Sequence, residues 1–213
     1  MNYIENIYVC LAVPTILSIF CLRGRLRRAT IFLLAGMTAC LLSSYISSFL
    51  ADVTGAGAFW APLEISPVVE ELMKFSPLLF WLLVFEPDKE DAYINMIVIA
   101  LGFATFENVC YLTTNGAASL MYLLIRGIGT GTMHVVCGMI VARGLFHLWD
   151  KFYLRAAGTA GLISASITYH AVYNVLVSQS GPAAYIGYVM PLATTVVILV
   201  FVWKDANRKT SAE

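Results

Sequence analysis

The sequence predicts an all-α fold, a polytopic transmembrane helical bundle of about seven spans with the N-terminus outside and the C-terminus cytoplasmic. Three observations carry this. Of 213 residues, 60% are hydrophobic and only 12% charged, about half the charge of an ordinary soluble domain, and mean hydropathy is +0.80. Apolar runs recur at the ~20 residues needed to cross ~30 Å of hydrocarbon. The basic residues between those runs fall on alternate connections.

The runs are taken in order. The first, 3–22, lacks the basic start and small-residue cleavage site of a signal peptide, and its positive charges follow it, so it reads as an uncleaved first span. The second, 29–50, begins after the segment RGRLRR. The third, 67–85, is short and carries Pro67 and Pro77. The fourth covers 93–113. The fifth, 120–142, is interrupted by Gly127, Gly129 and Gly131, which permit close helix approach or local unwinding. The sixth and seventh cover 156–178 and 184–203. Short connections leave no room for an inserted soluble domain. Residues 1–213 therefore read as one integral membrane domain.

Threading seven spans puts eleven of the thirteen basic residues on one side. They are Arg23, Arg25, Arg27, Arg28, Lys89, Arg143, Lys151, Arg155, Lys204, Arg208 and Lys209. The opposite loops, 51–66, 114–119 and 179–183, hold none. The positive-inside rule sets the orientation from this and places the chain as a multi-pass protein of the cell (plasma) membrane. Net charge is zero, so no acidic or basic partner is implied, nucleic acid included. Cys10, Cys21, Cys40, Cys110 and Cys137 are scattered through apolar runs without a CxxC pair and read as small core residues. Trp81 and Trp203 suit interfacial belts, and His147 reads as a loop residue beside Trp149.

The remaining two basic residues, Lys74 and Arg126, lie within spans, as do Glu70, Glu71, Glu107, His134 and His170. A charge at mid-bilayer costs at least ~2.5–3.5 kcal/mol, so such groups face the bundle interior and find partners. In SPVVEELMK, Glu70 and Lys74 are four apart, share a helix face and are expected to pair. Glu71 is turned about 100° away and needs another partner. A structural ion pair is the plainer account. Alternatively the two carboxylates divide labour, one held ionised by Lys74 and the other shuttling a proton. The fourth span places Phe103 and Glu107 on one face, and the sixth places His170 and Asn174 on one face, offering donors to a common point. Taken singly, Glu107 reads equally as a helix-packing hydrogen-bond group and His134 as a satisfied core histidine.

Depth argues for more. At about 1.5 Å per residue from the outer span ends, Glu70 and Glu71 lie ~5 Å down, Asn174 ~6 Å, Glu107 ~9 Å, His170 ~12 Å and His134 ~20 Å. Four helices thus direct polar groups at one zone in the outer half of the membrane. Such a set can activate water and stabilise an oxyanion, bind a divalent metal, or relay protons or ions.

The order EExxK (Glu70, Glu71, Lys74), FxxxE (Phe103, Glu107), a histidine on the next span (His134) and HxxxN (His170, Asn174) resembles the PrsW family of intramembrane proteases. That family is related to the clan of CAAX prenyl endopeptidases and bacteriocin-processing enzymes, and the resemblance covers about 60–180. It implies an intramembrane endopeptidase that cuts a single-pass membrane protein, an anti-sigma-factor-like substrate, near the outer side of the bilayer in regulated proteolysis. It implies that Glu70 or Glu71 activates water and that His170 and Asn174 donate to the oxyanion. Glu107 replaces the clan's FxxxH histidine, and His134 would supply the lost imidazole. EExxK also departs from the clan's EExxxR, leaving Lys74 as counter-ion of Glu70 and Arg126 as a second. The cofactor is expected to be none or a divalent metal, held if present by Glu71, Glu107, His134 and His170. The lack of an HExxH pattern leans toward metal-free water activation. Rival readings are a proton- or ion-coupled transporter, a catalytically silent membrane scaffold and a bis-histidine haem protein. No internal repeat supports the transporter, and haem needs no three carboxylates. The loop 51–66, with Phe59, Trp60 and Pro62, is expected to lie at the interface and gate substrate entry.

Overall fold

In hydrocarbon a chain must satisfy its own backbone, and each apolar run does so by closing into a helix. The computed structural model describes residues 4–85, 88–116, 120–149 and 152–210. It contains α1 (Ile4–Cys21), α2 (Gly24–Thr54), α3 (Ala61–Glu64), α4 (Ser66–Phe85), α5 (Lys89–Asn115), α6 (Leu120–Leu148), α7 (Phe152–Ser178) and α8 (Pro182–Thr210), with no strand among the described residues. Lys151 lies outside the described residues, as do the side chains of Lys89, Arg208 and Lys209.

The seven predicted runs are the seven long helices, mostly extended by a few residues into the connections. Six of them, α1, α2, α5, α6, α7 and α8, are long and apolar enough to cross a membrane. The seventh, α4, has 20 residues but carries Glu70, Glu71 and Lys74. The four-residue α3 was not anticipated from sequence. Gly55 ends α2 with φ of 69°, a left-handed conformation that costs glycine little. Pro77 removes one rung from α4, and the Ser76 hydroxyl takes up the freed Met73 carbonyl at 2.9 Å.

The strongest packing is α2 on α5, followed by α5 on α6 and α6 on α7. Helix α4 packs between α2, α5 and α7, while α1 and α8 cover opposite flanks. The α2–α5 crossing is tight: a Cβ placed on Gly36 or Gly102 would stand 2.1 Å from the carbonyl oxygen of Ile99 or Leu33, respectively. Half of the α6 span is buried, whereas α1 and α8 bury little of theirs and expose large apolar side chains such as Leu17, Phe20, Ile186, Val196 and Phe201. This is an apolar rim suited to lipid around a central α5–α6 pair. Two apolar clusters flank the polar centre, one around Leu78, Met96 and Ile99 and the other around Met37, Phe103 and Phe106.

Candidate active site

The fifth and sixth residues of α4, Glu70 and Glu71, point different ways, and their surroundings differ accordingly. Glu71 is 3% exposed. Its Oε1 accepts from Lys74 Nζ at 2.5 Å and His170 Nδ1 at 2.7 Å, and its Oε2 accepts from Ser166 Oγ at 2.8 Å. Three donors on one carboxylate define an ionised, immobile group. The expected Glu70–Lys74 pair is thus corrected: Lys74 pairs with Glu71 at i,i+3. The selection comes from α7, whose Ser166 and His170 fix the Glu71 carboxylate where Lys74 can reach it.

Lys74 is fully buried, gives a second hydrogen bond to His134 Nδ1 at 2.9 Å, and sits 5.0 Å from the Phe103 ring centroid. An ammonium only donates, so Nδ1 of His134 accepts and its Nε2 carries the proton. That Nε2 donates to Glu107 Oε2 at 2.5 Å. Arg126 Nη2 approaches Glu107 Oε1 at 3.3 Å and stacks over Tyr111, with its guanidinium carbon 3.4 Å from the ring centroid. By the same logic, a carboxylate only accepts, so His170 Nδ1 is protonated toward Glu71. Its Nε2 lone pair is left facing Glu70 Oε2, 3.8 Å away.

The depth expected for His134 is corrected as well. It is not separated from Glu107 along the bundle, because α5 and α6 run antiparallel and side chains lean toward the N-terminus of their own helix. Glu107 leans one way along the pair and His134 the other, and they meet. No unwinding at the glycines is needed, since α6 is continuous. Gly129 lies against Tyr188 and Tyr173 instead, where a Cβ would come within 2.8 Å and 3.0 Å.

Charge balance singles out Glu70. Three buried or half-buried carboxylates face two cations, Lys74 on Glu71 and Arg126 on Glu107. Oε2 of Glu70 is buried without a hydrogen-bond partner. An unbalanced carboxylate in a low-dielectric bundle calls for a further positive charge, a proton or a metal ion. One ligand atom each from Glu70, His134 and His170 lie within 4.8 Å of one another, a carboxylate and imidazole set of the kind that binds zinc or a similar ion. The metal set read from sequence named Glu71 and Glu107 instead of Glu70. In the structure Glu71 spends both oxygens on three donors, and Glu107 is held by His134 and Arg126. Glu70 and the free Nε2 lone pair of His170 fit a metal, with Glu71 orienting His170 through its far nitrogen. His134, engaged by Lys74 and Glu107, would ligate only by giving up one of those contacts.

A cavity of about 350 Å³ opens onto this centre, lined by Glu70 and Glu107 together with residues of α2, α3 and α5. The side chains of Glu70 and Glu107 are 16% and 28% exposed, so these two carboxylates are the ones water reaches. Asn174 is not brought to the same point as His170: its Nδ2 donates to the Pro62 carbonyl at 3.0 Å, tying α7 to α3. Ser166 was missed in the sequence, although it stands four residues before His170 on the same helix face, which is the signal that would have found it.

A multi-pass bundle with linked carboxylates, imidazoles and a buried lysine open to one polar cavity is the build of an intramembrane hydrolase. The model of the PrsW family of intramembrane metalloproteases matches residues 25–203, and the chain belongs to that family. It is therefore a membrane-embedded peptidase. No curated protein and no solved structure matches the chain.

Proposed function

We propose that the chain cuts a single-pass membrane protein of the cell membrane, an anti-sigma-factor-like substrate, near the outer side of the bilayer, with Glu70 as the group that takes the proton from the attacking water. The observation that carries this is the pairing pattern: Glu70 alone of the three carboxylates keeps an unpartnered oxygen, and its side chain lines the cavity. Glu71 acts as a positioning residue, holding His170 with Nε2 toward the cavity. Lys74 keeps Glu71 ionised and fixes the His134 tautomer. His134 donates its Nε2 proton to Glu107, and the pair is placed to pass a proton to the leaving amine. Arg126 balances the charge of Glu107. Glu70 and His170, joined by His134 if it releases Lys74 or Glu107, would hold a divalent ion, which when bound supplies Lewis-acid polarisation and acidifies water. Asn174 spends one side-chain N–H on Pro62 and keeps the other for the carbonyl oxygen of the substrate.

Cleavage near the outer side follows from the position of Glu70, ~6 Å along α4 from its N-terminus, combined with a topology that puts the basic connections inside. Regulated proteolysis fits that geometry, because a cut there removes the outer part of the substrate and leaves the membrane-anchored remainder for a later step. The test is a comparison of protein N-termini by mass spectrometry in membranes holding equal amounts of wild type, Glu70→Gln or His134→Ala. New termini near the outer ends of substrate spans, present only with wild type, are expected. Identical termini in all three, including under envelope stress, would remove this reading.

A further inference from the structure

The cavity that ends on Glu70 and Glu107 has a second wall that plays no part in the chemistry described above. Helix α2 presents Ser43, Ser44, Ser47 and Ser48 to it, two i,i+4 pairs in a span that is otherwise strongly apolar. Polar side chains inside a bilayer usually give their hydrogens to their own helix, and three of these do. Ser43 donates to the Cys40 carbonyl, Ser44 to Leu41 and Ser48 to Ser44, each at 2.8 Å. Ser47 differs: it is 8% exposed and its hydroxyl has no partner. A buried, unsatisfied hydroxyl on the wall of a cavity is a cost that a bound group would relieve.

A substrate helix must unwind before a peptide bond can be attacked. Once unwound, its backbone N–H and C=O groups need partners that lipid does not provide. A hydroxyl has one donor and two acceptor lone pairs. Ser43, Ser44 and Ser48 have spent their hydrogens and retain acceptors, which suit substrate N–H groups. Ser47 retains its donor, which suits a substrate carbonyl. Small residues, Ala51, Ala58 and Ala61, also line the cavity, together with the larger Ile4 and Phe106. The small residues leave room beside the carboxylates for one bulky side chain.

We propose that the serine face of α2 is the substrate cleft, in which the unwound segment lies extended against α2, Ser47 donates to one of its carbonyls, and a large apolar residue flanking the cut fills the space over Ala51. This rests on the peptidase reading above and adds to it the substrate-binding wall and the class of residue at the cut.

The same N-terminal comparison tests it in the full chain with the host's own membrane proteins as probe. It uses Ser47→Ala, Ala51→Leu and, as a control on the exposed side of α2, Ile46→Ala, each checked for amount and thermal melting in detergent. Ser47→Ala is expected to lower the yield of wild-type termini about five- to tenfold, the loss of one hydrogen bond to substrate. Ala51→Leu is expected to shift the surviving cuts from large apolar residues to small ones, a change that simple loss of folding does not produce. Ile46→Ala is expected to match wild type. If Glu70→Gln abolishes the termini while Ser47→Ala and Ala51→Leu leave their yield and sequence unchanged, the cleft lies elsewhere and the proposal falls alone. If wild type and Glu70→Gln give the same termini, the peptidase reading falls and takes this proposal with it.

Discussion

Lys74 is the residue on which the centre turns, because it is fully enclosed and still makes two polar contacts on different helices. Breaking a buried ion pair from one side leaves an uncompensated charge and costs about 3–5 kcal/mol, whereas removing both charges is often near neutral. Lys74→Met is therefore expected to lower thermal stability by about that amount, read by melting in detergent. Lys74→Met combined with Glu71→Gln is expected to recover most of the loss without recovering cleavage. Equal melting of the single variant and wild type would show that the pair is not the structural keystone described. The metal set makes a separate prediction. Purified protein is expected to carry about one zinc-like ion per chain, and His170→Ala or Glu70→Gln to lose it, read by elemental mass spectrometry. Ile46→Ala, on the exposed side of α2 and away from every proposed ligand, is expected to keep it. An ion content unchanged by either ligand variant would leave Glu70 neutralised by a proton instead. The ionisable members of the cluster were legible in the sequence, since the bilayer penalises every one of these groups and leaves few innocent explanations for seven of them; Ser166 was not. The pairing inside it was not. Whether Lys74 takes Glu70 or Glu71 is decided by Ser166 and His170, 95 and 99 residues from Glu71 in sequence, and local spacing carries no trace of that.

The helices hold these side chains in place through contacts that depend on size more than polarity. At the α2–α5 crossing, Gly36 and Gly102 let backbone lie on backbone, and in a bilayer, where apolar burial gives no advantage over lipid, such close packing is what binds helices together. A methyl at Gly102 would need the helices to part, since its neighbour is a carbonyl oxygen rather than a yielding side chain. Gly102→Ala is expected to destabilise the fold by about 2 kcal/mol or more. Gly127→Ala, on an exposed face of α6 with nothing within 4 Å, is expected to be neutral or to stabilise by up to ~1 kcal/mol through helix propensity. The pair of melting temperatures separates packing from propensity, and similar shifts for both would contradict the crossing. The seven long helices were legible because apolar runs of this length have few alternatives in a bilayer. Helix α3 was not: its single turn depends on a tertiary contact, the Asn174 hydrogen bond to Pro62, and no periodicity can be read from four residues.

Placing the molecule in the bilayer joins these arguments, because the side on which Glu70 opens decides which part of a substrate can be cut. The short connections at the α1–α2, α4–α5 and α6–α7 ends hold the basic residues, while the segment from Gly55 to Ile65 and the one before Pro182 hold none. A difference of eight to none in these connections, with three more basic residues in the C-terminal tail, is a strong orientation signal. The N-terminus of α4, the cavity and the serines of α2 all lie toward the uncharged end. With the native cysteines replaced, Gly57→Cys is expected to react with a membrane-impermeant maleimide on intact cells. Gly57 has open space around it, so the probe itself does not disturb packing. Arg25→Cys, in the basic connection, is expected to react only after the membrane is permeabilised. That pattern would place the carboxylate centre within reach of external water and of the outer ends of substrate spans. The opposite pattern would put the same centre against the cytoplasmic leaflet. An anti-sigma factor cut there would be released by trimming at its inner end, and outer-side cleavage would have to be given up even if peptidase activity stands.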